Sequence, residues 1–340
     1  MKKFSMIEIN KKDVKKMPAE FWKQYFDMRI QLNEPPGQKT PFLDADDLKS
    51  KFSDWYKQDK ELVSTSIVKK NDEFYGYISM RRQTQTYRDR YLQVFYNSLH
   101  TDDIKNIVPL ISKQIRKYYK ESDGKILFLT DNSTFSRLGE ELKGRIGEHT
   151  IQMALNPKDV NKDLIKKWMK ESPVKNEDIR IEFFDKIPDE HIKGYAELFD
   201  KLMKEMPKPH YFSCSFNADE LKKNLEDVSR KNIVSYTYLA FNKENKIIGM
   251  TNIVINKNDP KYPYQYMTGT YKEYRNCGIS KWLKAANFLR IDKDFKGKIR
   301  EIITETSPDN YGSKRISKLM GYKYIGCRVY YELNLDNLPE

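Results

Sequence analysis

The sequence contains no long apolar run and few cysteines. No stretch approaches the roughly 20 consecutive apolar residues of a membrane-spanning helix, and the basic N-terminus meets Glu8 where a secretory signal would have its apolar core. Three scattered cysteines, Cys214, Cys277 and Cys327, form no CxxC pair, which argues against a disulfide framework and against a zinc site. These absences favour a cytoplasmic protein that acts away from membranes.

Histidine is equally scarce, with four residues in the whole chain. They lie singly, and none has metal-ligand spacing to another histidine, a cysteine or an acidic residue. We therefore expect no metal cofactor. The four isolated positions are His100, His149, His191 and His210.

Acidic residues are outnumbered by basic ones, 49 against 62, which gives a formal net charge of +13. Such a balance can indicate affinity for a polyanion. Lysine is much commoner than arginine, however, and the chain has neither a long polybasic block nor a Gly/Arg-rich tail. An AT-rich genome produces the same bias. We therefore favour a solvated basic surface that also suits a small phosphorylated ligand over a nucleic-acid-binding surface.

The chain of 340 residues is long enough for two domains of ordinary size. Periodicity and turn residues predict one succession of elements, β-α-α-β-β-β-α-β-α-β, in each half, including a helix at 44–59 and a strand at 299–304. We predict an α/β fold with two mixed-sheet domains in tandem. The N-terminal domain spans residues 1–157, a connecting helix spans 158–177, and the C-terminal domain spans 178–340.

The C-terminal half contains a segment that the N-terminal half lacks. A strand ending at Thr270 leads through Arg275 to Gly278 and Ser280, where an amphipathic helix begins. Gly278 permits backbone conformations closed to other residues, and the small Ser280 lets a ligand approach the main chain. The unpaired amides of the first helical turn and the helix dipole favour an anion there, and Arg275 and Lys281 add positive charge. The pattern predicts a phosphate or pyrophosphate site.

The run Arg275-x-x-Gly278-x-Ser280 resembles motif A of the GNAT acyl-CoA N-acyltransferases, in which Arg or Gln precedes x-x-Gly-x-Gly or Ala. Ser280 stands where that family usually has Gly or Ala. The preceding Thr268-x-Thr270 resembles the family's Thr-x-Val at the end of its fourth strand. Both motifs lie at the junction of one strand and one helix, as the family requires.

A second motif follows about 30 residues later in the same half. The run from Asn310 through Ile316 to Gly321-Tyr322 is similar to the family's Asn-x-x-Met-x-x-Ile-Asn/Tyr-x-x-Leu-Gly-Phe. Together the motifs cover about residues 264–324, and the duplicated order of elements extends the resemblance to the whole chain, as in tandem members of the family.

The resemblance implies direct transfer of an acyl group, usually acetyl, from CoA to the amine of a small molecule or peptide. Acetyl-CoA would be the cosubstrate. Main-chain groups of the splayed strand would pair with the pantetheine arm, and one N–H would stabilise the oxyanion. The resemblance places CoA on residues of that strand, of the loop after it and of the second motif: Met267, Thr268, Thr270, Arg275, Asn276, Cys277, Gly278, Ile279, Ser280, Lys281 and Asn310.

The resemblance leaves the catalytic acid and base less defined. Ser317 occupies the position where many members have the tyrosine that protonates the leaving thiolate, and Tyr311 is a nearby substitute. For the base that deprotonates the amine, Glu305 at the carboxyl end of its strand is the best-placed carboxylate, with the C-terminal Glu340 as an alternative. Cys277 would lie at the pyrophosphate end of CoA, so we interpret it as a spacer.

The N-terminal half has no counterpart of the first motif. After the strand at 91–96 it contains no glycine and no Arg-x-x-Gly, and Asp102 and Asp103 stand at the start of the next helix. Those two charges would repel a pyrophosphate. We therefore predict that the N-terminal domain is a degenerate copy that has lost CoA binding and shapes the acceptor cleft.

Two further functions stay open at this point. A regulatory module that keeps affinity for CoA without catalysis would account for the missing tyrosine. An aminoacyl-tRNA-dependent peptidyl transferase, which is also built from two such domains, would account for the positive charge but does not need a CoA pyrophosphate loop. The identity of the acceptor and the oligomeric state do not follow from the sequence.

Overall fold

A computed structural model of the chain describes residues 3–9, 16–33, 62–83, 91–98, 103–121, 125–130, 136–171, 179–207, 217–230 and 232–340. The chain forms two compact units. Unit 1 comprises Met1–His149 and Cys327–Glu340, and unit 2 comprises Thr150–Gly326. The helix predicted at 44–59 lies outside the described residues.

The described part of unit 1 contributes six strands to its sheet, and the last one comes from the far end of the chain. The strands are β1 (Phe4–Ile9), β2 (Leu62–Lys70), β3 (Glu73–Gln83), β4 (Tyr91–Ser98), β5 (Lys125–Thr130) and β12 (Lys323–Leu333), in the spatial order β1-β2-β3-β4-β5-β12. Only β4 and β5 are parallel. The described helices of this unit are α1 (Ala19–Asn33), α2 (Ile104–Tyr118) and α3 (Ser136–Glu141).

Unit 2 repeats this arrangement. Its strands are β6 (Arg145–Leu155), β7 (Arg180–Phe184), β8 (Ile233–Phe241), β9 (Ile247–Asn256), β10 (Tyr264–Thr270) and β11 (Ile302–Thr306), in the spatial order β7-β8-β9-β10-β11-β6. Its described helices are α4 (Lys162–Lys170), α5 (Asp189–Glu205), α6 (Ala218–Arg230), α7 (Ile279–Asp294) and α8 (Tyr311–Met320). Throughout the described ranges, no helix is both long and apolar enough to cross a membrane.

Each half of the chain gives its last strand to the other unit. In unit 1, β12 pairs antiparallel with β5, from Val329 opposite Thr130 to Leu333 opposite Ile126. In unit 2, β6 pairs antiparallel with β11, with Glu305 opposite Gln152 near the centre of the ladder. The compact units therefore differ from the two sequence repeats, because the last strand of each repeat belongs to the other unit. The predicted domain boundaries at residues 157 and 178 stay a prediction.

Helices α5 and α7 cover opposite faces of the unit 2 sheet. A Cβ atom on Gly249 of β9 would lie 3.3 Å from Ile279 of α7, while one on Gly269 of β10 would lie 2.6 Å from Leu202 of α5. Gly249 lies opposite Thr270, the residue after Gly269, and neighbouring positions on a strand face opposite sides of the sheet. Each helix therefore approaches the sheet where a glycine leaves room.

The apolar periodicity of the sequence explains both cores. In unit 1, helix α2 places buried residues such as Ile107, Ile111 and Ile115 at helical spacing against the sheet. In unit 2, helix α7 packs Phe288 and Ile291 against strand residues and against α4, where Trp168 is buried. Each helix thus buries apolar residues against its own unit.

The position of β12 generates a prediction about Tyr331, which is fully buried in unit 1 and contacts the ring of Phe128. Tyr331→Ala should leave a cavity and lower the free energy of unfolding by about 3–5 kcal/mol. Because the strand completes unit 1, amide hydrogen exchange should accelerate in β5, some 200 residues away in sequence. Tyr324→Ala, an exposed position on the same strand, is the control. Acceleration confined to residues 150–326 would contradict the strand exchange.

Candidate functional site

Strands β10 and β11 run side by side for only part of their length. They pair in parallel at two positions, Tyr264 opposite Ile303 and Gln265 opposite Thr304. Beyond these positions β10 keeps its partner β9 as far as Thr270, and β11 keeps its partner β6 to its end. The two strands therefore separate after Gln265, and a gap opens between their main chains on the way to the C-terminal end of β10.

Within the described residues, the corresponding strands of unit 1 pair over a longer stretch. There β4 and β5 pair at five consecutive positions, from Tyr91 opposite Lys125 to Phe95 opposite Leu129. At the start of α2, the Asp103 carboxylate forms an ion pair with Lys70 and accepts a hydrogen bond from the Tyr75 hydroxyl (3.3 Å). A carboxylate of the protein itself thus lies where the predicted pyrophosphate site of the other unit has a glycine.

A bulge in β10 lies where the gap begins. The β9–β10 ladder changes register between Gln265 and Thr268, and side chains replace the missing main-chain bonds. The Met267 N–H donates to Asn252 Oδ1 (2.9 Å), while Gln265 Nε2 donates to the Asn252 carbonyl (2.8 Å). The Thr304 hydroxyl of β11 donates to the Gln265 carbonyl (3.0 Å). These polar side chains are all buried, so the bulge is held by a network inside the protein.

Thr268 and Thr270 direct their main-chain groups toward the gap. The Tyr271 N–H donates to the Ile248 carbonyl of β9 (3.1 Å), and successive residues of an antiparallel strand point alternately toward and away from the partner. Met267 differs from the sequence-based expectation, because its N–H is bonded to Asn252 and its carbonyl accepts a hydrogen bond from Gln265 (3.3 Å). The bulge therefore removes Met267 from the set of main-chain groups that face the gap.

The loop after β10 ends in an uncapped helix N-terminus. Gly278 is the N-cap of α7 with a φ angle of +88°, and Asn276 before it also has a positive φ of +65°. A Cβ atom on Gly278 would meet nothing within 4 Å. No side chain caps the helix, and the first amides of a helix have no partner within it. The space beside Gly278 is therefore open, and the first amides of the helix, at Ile279 and Ser280, have no partner within it, which fits the predicted anion site.

The amide of Lys281 is not part of this set, contrary to the sequence-based expectation. Its N–H donates to the Gly278 carbonyl (3.0 Å), because the first turn of α7 is tight enough for the third residue to reach the cap. The Lys281 side chain is exposed, with its ammonium 6.0 Å from the centroid of the Trp168 ring. Lys281 can therefore contribute charge to the site but not a main-chain donor.

The two other residues predicted in the loop are at its surface. Arg275 forms an ion pair with Glu205 at the end of α5, and its side chain is 44% exposed. Cys277 is exposed, and its Sγ lies 3.5 Å from the Arg275 carbonyl. The ion pair places the guanidinium between the loop and α5, where an anion would have to compete with Glu205 for it.

At the start of α8, Asn310 has a structural role of its own. Its Oδ1 accepts the Ser313 N–H (3.1 Å) and caps the helix, a bond that leaves the Nδ2 group available to a ligand. Tyr311 is 73% exposed, and its ring centroid lies 4.4 Å from the Lys314 ammonium. Ser317, at the family's tyrosine position, is fully buried.

Glu305 lies within β11, which begins at Ile302, three residues later than predicted. The shift arises because the amides of Arg300 and Glu301 both turn to the Lys261 carbonyl. The Glu305 carboxylate accepts hydrogen bonds from Gln152 Nε2 (3.1 Å) and the Thr150 hydroxyl (3.3 Å).

Both donors belong to the exchanged strand β6. Sequence reasoning missed them because they lie in the other half of the chain. Sequence reasoning also missed Asn252 and Gln265. Each is a polar residue within a buried strand, a pattern that could have indicated a buried hydrogen-bond network.

Lys284 of α7 is unusual for a lysine because it is buried, with only 5% of its surface exposed. Its ammonium lies 5.6 Å from the centroid of the buried Tyr322 ring, and burial lowers the pKa of Lys284 from 10.5 to about 8. Burial also raises the pKa of Tyr322, whose ring is part of the core of unit 2. Among the described residues, no group of three or more His, Cys, Asp or Glu side chains could hold a metal ion.

A pocket of about 450 Å³ lies at the edge of the sheet where β7 ends and β8 begins. Its walls include Asp189, Lys222 and Ser235, and the first two form an ion pair of 2.8 Å that lowers the pKa of Asp189. Ser235 also accepts a hydrogen bond from Asn252 Nδ2 (3.3 Å). One hydrogen bond therefore links Ser235 in the pocket wall to Asn252, the side chain that holds the β10 bulge.

No protein-family model and no curated protein sequence matches the chain. Solved structures do match over its whole length. A tandem GNAT protein from the clavulanic acid biosynthesis pathway is 12% identical, with a TM-score of 0.70 over 98% of this chain and 99% of its own. A GCN5-related N-acetyltransferase from Sphaerobacter thermophilus is 13% identical, with a TM-score of 0.61 over 98% and 96%.

A more distant similarity is to Saccharomyces cerevisiae N-myristoyltransferase with bound myristoyl-CoA. It is 15% identical, with a TM-score of 0.52 over 97% of this chain and 79% of that one. At these identities the similarity defines the fold, and the chain has the fold of tandem GNAT proteins.

The burial of Lys284 predicts a pH dependence of stability. Below pH 8 the lysine is charged in both the folded and the unfolded chain, so its full desolvation penalty is present. Between pH 8 and 10.5 the unfolded chain binds more protons, so this penalty fades and stability rises with pH. Lys284→Met should raise the free energy of unfolding at pH 7 by up to about 3 kcal/mol, since each pKa unit corresponds to about 1.4 kcal/mol.

The measurement is urea unfolding of both proteins from pH 7 to pH 10. The gap between wild type and Lys284→Met should narrow across that range. Lys293→Met, which removes an exposed lysine of the same helix, is the control and should track wild type. A gap that stays constant with pH would contradict the buried, depressed lysine.

Proposed function

We propose that the chain is an N-acyltransferase that binds acetyl-CoA in unit 2 and transfers its acetyl group to the primary amine of a small molecule or peptide. One observation carries the proposal: the gap between β10 and β11 leads directly to an uncapped helix N-terminus with open space at Gly278. An extended amide-containing chain that ends in a diphosphate matches that combination. The tandem GNAT fold supports it.

The described residues fit CoA. Amides from Cys277 to Ser280 would bind its pyrophosphate, supported by the charge of Arg275 and Lys281. Main-chain groups of Thr268 and Thr270 would pair with the pantetheine arm, and the Asn310 Nδ2 group would reach the same arm. Bound acetyl-CoA would supply an activated acyl thioester.

The chain's own part in the reaction is to orient the amine and to move protons. Glu305, held by two neutral donors, would accept the proton of the attacking ammonium, directly or through water. A C–N bond forms while the C–S bond breaks, and the sulfur takes a proton for which Tyr311 is the proposed donor. The Thr268 N–H, which faces the gap, would stabilise the negative oxygen that develops in between.

A non-catalytic CoA-binding module is the second candidate. The observation that favours it is Ser317, which is buried at the family's tyrosine position and cannot protonate a ligand in the gap. An aminoacyl-tRNA-dependent transferase is less favoured, because it would have no use for the open loop at Gly278. The proposed compartment is the cytoplasm.

The test of the CoA site uses two glycines with the same backbone constraint. Gly278 and Gly297 flank α7, both have positive φ, and a Cβ atom on either would meet nothing within 4 Å. Gly278→Glu should weaken acetyl-CoA binding in isothermal titration by about 100-fold, because a carboxylate replaces the open anion site. Gly297→Glu carries the same strain and should bind like wild type.

Equal affinities of the two variants would contradict the assigned loop, and no binding to wild type would remove the proposed function. Where wild type binds, release of free thiol against a panel of amines separates transfer from binding alone. Thiol release with one class of amine supports the enzyme, and binding without release with any amine supports the regulatory module.

The contrast between the units predicts the stoichiometry of that titration. Unit 1 has paired β4 and β5 strands and the Asp103 carboxylate at the start of α2, so it should not bind CoA. We expect one acetyl-CoA per chain. A stoichiometry of two, with both events abolished only when both units are altered, would show that unit 1 keeps a site.

A further inference from the structure

We infer that Asn252 is a positioning residue for the proposed acyl transfer: its side chain holds the β10 bulge and thereby decides which main-chain groups face the gap. The inference rests on the proposed function, since the gap is the proposed site of pantetheine. Asn252 lies on β9, outside both sequence motifs, and touches no group assigned to CoA. Its role is therefore to act through β10.

The bulge reverses the direction in which alternate residues of the strand point. Before it, the Pro263 carbonyl accepts the Ile303 N–H of β11, so odd-numbered residues face β11. After it, the Tyr271 N–H donates to β9, so odd-numbered residues face β9 and even-numbered ones face the gap. If the alternation of β10 continued through the same residues without a bulge, Gly269 would face the gap in place of Thr268 and Thr270.

Asn252 fixes this reversal at Met267, which the β9–β10 ladder leaves without an opposite residue. The Met267 N–H would be buried and unpaired without Asn252 Oδ1, at 2.9 Å. The other groups of Asn252 are also used: Nδ2 donates to Ser235 Oγ (3.3 Å), and the carbonyl accepts Gln265 Nε2 (2.8 Å). With its amide held at both ends, Asn252 presents its oxygen to β10 in one orientation.

The same hydrogen-bond network extends to the point where β11 separates from β10. Gln265 is the last residue of β10 that pairs with β11, and its carbonyl accepts the Thr304 hydroxyl (3.0 Å). Its side chain returns to Asn252 and to the hydroxyl of Thr268 (3.3 Å). The start of the gap and the direction of Thr268 are therefore set by one set of buried bonds.

The test compares two buried asparagines of unit 2. Asn287 of α7 is fully buried and, like Asn252, bonds to a neighbouring main chain, with Nδ2 2.8 Å from the Tyr236 carbonyl. Asn252→Leu removes two side-chain hydrogen bonds and Asn287→Leu removes one, so the two variants are compared at equal folded fraction. Only Asn252→Leu should lower kcat, by about 100-fold, the scale of one misplaced oxyanion donor, while the Kd for acetyl-CoA changes by less than about threefold.

Asn252→Asp keeps an oxygen opposite the Met267 N–H and should recover part of the lost kcat. Retention of wild-type kcat by Asn252→Leu, at the same folded fraction as Asn287→Leu, would overturn the inference and leave the proposed function standing.

A second readout needs neither cosubstrate nor acceptor. Amide hydrogen exchange at Met267 should be about tenfold faster in Asn252→Leu than in Asn287→Leu, because only the first variant removes the acceptor of that N–H. Equal exchange in the two variants would overturn the inference. If wild type binds no CoA, the proposed function fails, while this measurement still decides whether Asn252 holds the bulge.

Discussion

The separation of β10 from β11 after Gln265 is the constraint on which the rest of unit 2 depends. Each strand keeps a full ladder on its outer side, β9 for β10 and β6 for β11, so only the facing edges lose their partners. Buried main-chain groups without partners are costly, so such a gap persists only where side chains hold it and a ligand or water can occupy it. The side chains of Asn252 and Gln265 hold the strand where the gap begins. The open loop at Gly278 fits the anionic ligand proposed above.

The exchange of β6 makes this site depend on both halves of the chain. Strand β11 pairs with β10 at only two positions, so most of its main-chain hydrogen bonds depend on β6. The same exchanged strand supplies Thr150 and Gln152, the donors to Glu305. The N-terminal half thus forms part of the sheet that carries the proposed site, a role that does not require a ligand of its own.

The sequence predicted most of the described elements and the strand–loop–helix arrangement around Gly278 because their signals are local. Gly278 and the helix that follows it are read from adjacent residues, and the tandem repeat is visible in periodicity alone. The bulge could not be predicted, because the partner of Met267 is a side chain 15 residues away whose position depends on the register of β9. Nor could the exchange of β6 and β12, since either half of the chain offers an equally good edge to the same strand pattern.

The two units carry the same topology and differ in three features together. Unit 2 has the bulge, the separated strands and a left-handed glycine at the N-cap of α7. In the described part of unit 1, the β3–β4 ladder runs from Gly76–Ser98 to Gln83–Tyr91 without a change of register, β4 and β5 pair at five positions, and Asp103 is the N-cap of α2. These three features occur together in one copy and not in the described part of the other. The fold is common to both units, so the proposed site depends on what distinguishes them, and the network around Asn252 is the set of buried bonds that holds the bulge at the start of the gap.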